Sequence, residues 1–297
     1  MIFEWMLAKC GRRIGYHRGS RYWGKLWRNS VTAYQSRPDR WVIINDYDGN
    51  LKLQLDRGSY LGSLIYWRGG QPTYDFALLR QVLRPDMVFV DVGANQGEAT
   101  LVAAKRLLQG HVLAFEPVAS LYAQLSRNLA LNRFSNVTAL NCALSDYPGT
   151  MPMYTSLDTE IHASFNEGLA SFFPSDYRNT RMGEVRVRVL DECLAELNID
   201  QVHLMKIDVE GAELHVLRGS FGTLQRWVPG LLMEINPSAL AAAGTDVAEL
   251  WDLVISLGYQ VYVIGRGGKL TQVFAHTALP ACDAYCVHRS KVNQLPQ

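Results

Sequence analysis

One word of the sequence, D-V-G-A-N-Q-G at residues 91–97, constrains this chain more than any other, because it lies where a short apolar strand runs into an amphipathic helix. Residues 87–91 (M-V-F-V-D) form a continuous apolar run. Residues 98–109 have helical spacing stopped by Gly110, and residues 111–115 are apolar again. Strand, helix, strand in this rhythm is a βαβ unit, whose parallel strands are covered on both faces. Leu121, Tyr122, Leu125 and Leu129 then line one face of a second helix, and further strands are expected at 137–140, 185–189, 202–207 and 231–235. The alternation predicts an α/β fold with a doubly wound, mainly parallel sheet.

The flanks read differently. Asp246 opens a helix with Glu249 three residues on, a capping-box spacing, and residues 259–264 lead into Arg266-Gly267-Gly268-Lys269, a hairpin signal. Residues 270–274 and 284–288 are expected to complete an antiparallel edge, so that the last strands of the sheet run reversed. Upstream, residues 41–65 alternate apolar and polar around Asp48-Gly49-Asn50 and predict a β-hairpin. Residues 76–83 are helical until Arg84-Pro85-Asp86 breaks them. The chain thus divides into an N-terminal arm (1–40), a hairpin-and-helix cap (41–85) and the sheet domain (86–290), with no internal repeat or low-complexity tract.

A length of 297 residues with 48% hydrophobic content suffices for one full core plus an appendage. With 29 Lys and Arg against 28 Asp and Glu, no overall field gathers nucleic acid, and no nucleic-acid partner is expected. The five cysteines are scattered and odd in number, which suits a reducing cytoplasm better than a disulfide framework. Cys282 and Cys286 lack the second ligand pair of a zinc site, and no metal is expected there. No stretch approaches the roughly 20 apolar residues of a membrane span, and the basic residues after residues 1–8 stand in the wrong order for a signal peptide.

The arm is unusual. Lys9, Arg12, Arg13, Arg18, Arg21, Lys25, Arg28, Arg37 and Arg40 are mixed with Trp5, Tyr16, Tyr22, Trp23 and Trp27, and only Glu4 and Asp39 oppose them. Such a mixture suits peripheral contact with an anionic membrane, capture of a phosphorylated or glycan substrate, or an arm packed on the core.

The turn at 91–97 asks for a ligand that approaches the backbone closely. A dinucleotide site has G-x-G-x-x-G, whereas Gly93 and Gly97 are separated by three residues. Asp91 beside the turn repels a diphosphate but suits the ammonium of an amino-acid moiety, as in S-adenosylmethionine. Glu116, 25 positions on, ends the second strand where an acid accepts ribose hydroxyls. Asp91, Gly93, Asn95, Gly97 and Glu116 are therefore the expected cofactor residues. Asn141, Ala143 and Asp146, after the third strand, are candidates for the adenine edge or ordinary loop residues.

These words resemble the FkbM family of S-adenosylmethionine-dependent methyltransferases: D-V-G-A-N at 91–95, A-F-E-P at 114–117, A-L-S-D at 143–146, K-I-D-V-E-G-A-E at 206–213 and L-x-E-I at 232–235, in the family's order. The likeness runs from about Tyr74 to Tyr262 and leaves the arm outside. It implies a Rossmann-like class I methyltransferase fold and O-methylation of hydroxyls on sugars, glycolipids or polyketides. The chain departs from the family at Gln96, Glu98 and Ala99, where an aliphatic residue and aromatics are usual, and at His162-Ala163-Ser164-Phe165, which should face the acceptor.

Methyl transfer to oxygen must remove a proton. Asp208 ends the fourth parallel strand, Glu210 follows it and Glu234 ends the fifth, at the edge where open α/β sheets bind ligands. The three are expected to act as a direct base cluster rather than a metal set, since no histidine joins them; the alternative is helix capping or pairing with Lys206. Two other functions compete: an NAD-dependent oxidoreductase, which lacks a Tyr-x3-Lys pair because Tyr122 has Ser126 four residues on, and a noncatalytic binding module on the same fold.

Overall fold

The structure is a computed structural model and describes residues 2–14, 33–34, 37–70, 75–156, 169–176, 178–274 and 279–296. It begins with helix α1 (Ile2–Ile14), the hairpin β1 (Trp41–Tyr47) and β2 (Leu51–Asp56), and helices α2 (Tyr60–Arg68) and α3 (Asp75–Val82). The hairpin expected over 41–65 thus ends at Asp56. Ser59 caps α2 by accepting the Gly62 N–H, and Gly69, at φ 83°, ends it in the left-handed conformation. Six successive residues of α2, from Gly62 to Trp67, are buried, so the helix lacks the one-sided stripe that would have revealed it.

The sheet domain follows as β3 (Val88–Val92), α4 (Glu98–Arg106), β4 (His111–Phe115), α5 (Ala119–Asn132), β5 (Val137–Leu140), β6 (Ala143–Leu144), β7 (Gly149–Thr155) and β8 (Thr180–Arg188). It continues with α6 (Leu190–Glu196), β9 (Leu204–Ile207), α7 (Glu213–Arg218), α8 (Phe221–Trp227), β10 (Gly230–Ile235), α9 (Pro237–Ala242), α10 (Val247–Ser256), β11 (Tyr259–Ile264), β12 (Leu270–Val273) and β13 (Cys282–His288). The main sheet has the order β12-β11-β13-β10-β9-β3-β4-β5, and its five strands from β10 to β5 are parallel. This is the expected doubly wound α/β sheet with reversed strands near its C-terminal end.

The placement of those last strands differs from expectation. β13 does not lie at the edge but between β10 and β11, antiparallel to both. Ala284, Tyr285, Cys286 and Val287 are consecutively buried, the mark of a strand covered on both faces, whereas β12 exposes Thr271 and Gln272 and takes the edge. A second, three-stranded sheet of order β6-β8-β7 was foreshadowed only by the strand expected at 185–189.

Successive residues of β3 point to opposite faces. Phe89 packs with Leu101, Leu232 and the cap residues Leu53, Leu64 and Leu78, while Val90 packs with Leu190, Leu217 and Trp251. The cap therefore shares one core with the sheet across residue 85. Ala8 of α1 belongs to that core too, and Arg12 bridges Asp46 at 2.9 Å, so the described part of the arm is packed on the cap.

Chain direction across the sheet reverses between β3 and β9, which opens a crevice at their carboxyl ends.

Candidate active site

A cavity of about 450 Å³ occupies that crevice, between the glycine turn after β3, the loops after β4, β9 and β10, and the cap. The turn is built by close approach. Gly93 has φ 82°, and a Cβ there would stand 1.9 Å from the Asp208 carbonyl oxygen, so the loops after β3 and β9 touch through backbone alone. The Gly93 and Ala94 N–H groups both donate to Phe115 O at 3.0 Å. Gly97, at φ 103°, starts α4 against Leu125 and is not part of the cavity wall.

Two acids flank the turn. Asp91 is fully buried; its Oδ2 accepts the Thr100 hydroxyl at 2.5 Å, and its Oδ1 has no hydrogen-bond partner among the described residues. Burial raises its pKa. Glu116 accepts the Asn95 N–H on Oε2 and the Val118 N–H on Oε1, each at 2.8 Å. Burial outweighs those two bonds and pushes the carboxyl up to about 7. Beyond Glu116 the wall is apolar, formed by Leu121, Ala143, Met153 and Phe172.

The other two adenine-edge candidates lie elsewhere. Asn141 is exposed and donates to Glu116 O and Pro117 O, which fixes the loop carrying Glu116. Asp146 pairs with His215 at 3.1 Å and does not line the cavity. His162 to Phe165 fall outside the described residues.

The structure brings the three carboxylates together: one oxygen each of Asp208, Glu210 and Glu234 lies within 4.8 Å of the others. Lys206 donates to Asp208 at 2.7 Å. Burial alone would raise Asp208, but the Lys206 charge together with hydrogen bonds from Lys206 and Glu234 outweighs it and holds the carboxyl below its usual range. Burial likewise works against Lys206, yet Asp208 and Asp91 raise it. Glu210 is pushed up to about 7 by burial, partly offset by Arg178, whose Nη2 lies 2.5 Å from Glu210 Oε2. Glu234 is pushed up to about 10, first by the Asp208 charge and then by burial.

Three participants were given no part in the site by the sequence. Arg178 comes from an irregular segment before β8. Lys206 was read only as a competing partner for the acids. Glu98 was noted only as a departure from the family, yet it is buried on the cavity wall, bonded to Gln96 Nε2 at 3.2 Å and pushed by burial to about 7.

Glu234 makes a signed prediction. Its pKa rises from 4.5 to about 10 on folding, so the native state holds a proton that the unfolded chain has lost, and stability falls as pH rises between those values. Glu234→Gln removes that dependence. Thermal melts should show the variant gaining on the wild type at pH 8 relative to pH 5; a gain larger at pH 5 would contradict the shift.

Residues 91–261, more than half of the chain, match the family described as the methyltransferase FkbM domain. The chain is 36% identical over 152 residues to methyltransferase sdnD of Sordaria araneosa, covering 44% of this chain and 59% of that protein. It is 30% identical over 158 residues to 31-O-demethyl-FK506 methyltransferase FkbM of Streptomyces tacrolimicus, covering 46% and 60%. It therefore spans about three-fifths of the length of these curated relatives. A crystal structure of methyltransferase FkbM from Methylobacillus flagellatus KT superposes with a TM-score of 0.47 at 17% identity, over 89% of this chain and 60% of that one. With the family match spanning the turn at Asp91, the acid at Glu116 and the carboxylates at Asp208 and Glu234, the chain belongs to the FkbM methyltransferase family.

Proposed function

We propose that the chain is an S-adenosylmethionine-dependent methyltransferase that O-methylates a hydroxyl of a sugar, glycolipid or other secondary metabolite. The observation that carries the cofactor is Asp91 Oδ1, a buried oxygen without a described partner beside a backbone turn that tolerates no side chain at Gly93. A buried acceptor of this kind calls for a donor, and an ammonium group is the strongest fit. It disfavours a diphosphate, and with it the NAD reading. Glu116 keeps lone pairs free for ribose hydroxyls after accepting two backbone N–H groups. The apolar wall of Leu121, Met153 and Phe172 suits adenine. The Streptomyces tacrolimicus relative is named as a methyltransferase of a 31-O-demethyl compound, which supports oxygen as the acceptor atom.

When bound, S-adenosylmethionine supplies an electrophilic methyl group. The residues of this chain supply the rest. Asp208, kept ionised by Lys206, takes the proton of the acceptor hydroxyl, and Glu234, protonated beside it, donates a hydrogen bond. Arg178 and Lys206 already provide two positive charges to the three carboxylates, which favours base catalysis over a metal-assisted route.

Calorimetry with S-adenosylmethionine and with NAD tests the cofactor. S-adenosylmethionine should bind, and Glu116→Ala should weaken it about tenfold to a hundredfold, the loss of about 1.5 to 3 kcal/mol of charge-assisted hydrogen bonding. NAD binding without S-adenosylmethionine binding overturns the proposal, and unchanged affinity in a folded variant removes Glu116 from the site.

A further inference from the structure

We infer that the outer face of α1, together with the start of β1, is a docking surface for an anionic lipid bilayer. The inner side of α1 is already used. Ala8 is fully buried in the cap core, and Arg12 bridges Asp46 and donates through Nη1 to Tyr66 O at 2.6 Å. The outer side leaves Trp5 40% and Met6 55% exposed, with Cys10 exposed and Lys9 Nζ 4.7 Å from the centre of the Trp5 ring. Positions 5, 6, 9 and 10 form one strip at helical spacing. A large indole and a thioether turned away from a helix's packed side contribute nothing to the core.

The strip has a neighbour of the same character. Arg57 contacts Glu4 Oε1 at 3.2 Å and Asp39 O at 2.5 Å, which ties the first turn of α1 to the entry of β1. There Trp41 and Ile43, alternate residues on one side of the strand, are 36% and 52% exposed, and Arg40, which pairs with Asp56 at 2.8 Å, lies 5.8 Å from the Trp41 ring. Four of the ten large hydrophobic side chains that the described residues expose thus belong to α1 and β1, each pair with a cation beside a tryptophan. Tryptophan at headgroup depth with basic side chains reaching to the phosphates is the composition of an interfacial surface.

Charge selects the kind of bilayer. Residues 1–40 hold nine Lys and Arg against two acids in a chain of net charge +1, so the positive charge is concentrated at this end and the remainder is negative. An anionic leaflet attracts such a basic segment electrostatically. The location also serves the cavity. Arg12 lines it together with Arg68 and Gly69, and a Cβ at Gly69 would stand 3.5 Å from the Arg12 carbonyl oxygen, so the C-terminal end of α1 borders the cavity's cap side. Docking through α1 holds that side near the bilayer, where an acceptor carried on a lipid can enter. This last step rests on the methyl-transfer reading; the docking itself does not.

Flotation of the full chain with vesicles of phosphatidylcholine alone, and of phosphatidylcholine with phosphatidylglycerol, tests the surface. The chain should float with the mixed vesicles, weakly with the neutral ones, and be released at high salt. Trp5→Ser combined with Met6→Ser should weaken vesicle binding by more than about tenfold, since both large apolar side chains are withdrawn from the bilayer contact. The calorimetric affinity for S-adenosylmethionine should stay unchanged, which separates lost docking from lost folding. Equal flotation of variant and wild type, or no flotation of the wild type, overturns the inference. A wild type that floats but binds no S-adenosylmethionine sinks the methyl-transfer reading and leaves the docking surface standing.

Discussion

Asp208→Asn is expected to lower methyl transfer about a hundredfold to ten-thousandfold, the usual worth of a positioned general base, while the affinity for S-adenosylmethionine changes little. The asymmetry among the three carboxylates makes Asp208 the one to test. Glu210 is held by Arg178, and Glu234 keeps its proton to about pH 10, so neither is a free base near neutrality. Asp208 is charged, half-exposed toward the cavity and oriented by Lys206. Single-turnover rates with saturating cofactor separate the chemical step from binding. The same measurement with and without a chelator decides between base and metal, because the 4.8 Å spacing of the cluster also suits a divalent cation. Full activity in Asp208→Asn would remove it from catalysis, and chelator-sensitive turnover in the wild type would move the cluster to the metal route.

The meeting of Asp208 and Glu234 was legible in the sequence because strand ends are. Both residues end apolar runs, and neighbouring parallel strands bring their carboxyl ends to one edge; the register pairs Leu232 with Lys206 and Met233 with Ile207. The turn at Asp91 was legible for the same reason, as a strand leading into a helix through glycines. Asn141 and Asp146 show where this logic stops. Position after a strand predicts proximity to the crevice, but their actual partners, the loop carbonyls after β4 and His215, are tertiary contacts that no local pattern encodes. β13 carried a readable signal in its unbroken apolar run, which marks an interior strand, yet its chain position after a hairpin suggested an edge. The cap helix α2 was hidden because burial on nearly every side erased its periodicity. Arg178 had no signal, since a lone arginine in an irregular segment becomes informative only once its distant acid is known.

That arginine leads to the largest stability effect expected. Arg178→Met should destabilise the fold by about 3 to 5 kcal/mol at pH 8, the typical result of removing one partner from a buried ion pair. The Arg178 side chain is 2% exposed and that of Glu210 is 8%, so neither charge has water to fall back on. Arg178 does more than neutralise the carboxylate. Its Nη1 donates to Glu210 O at 3.2 Å, and the Ser171 hydroxyl donates to the same oxygen at 2.7 Å. Glu210 needs this support because it sits at φ 53°, a left-handed conformation that disfavours side chains and leads into Gly211 at φ 108°. The loss should shrink as pH falls. Glu210 already sits at about 7 with the arginine beside it, and without that charge its pKa rises further, so protonation at pH 6 removes most of the uncompensated charge. Urea denaturation of the variant and the wild type at pH 8 and pH 6 measures both effects. Adding Glu210→Gln to the variant should restore much of the stability at pH 8, since a neutral amide needs no counter-charge. A loss below about 1 kcal/mol at both pH values, the range of a surface ion pair, would show that the pair does not hold the loop beyond β9.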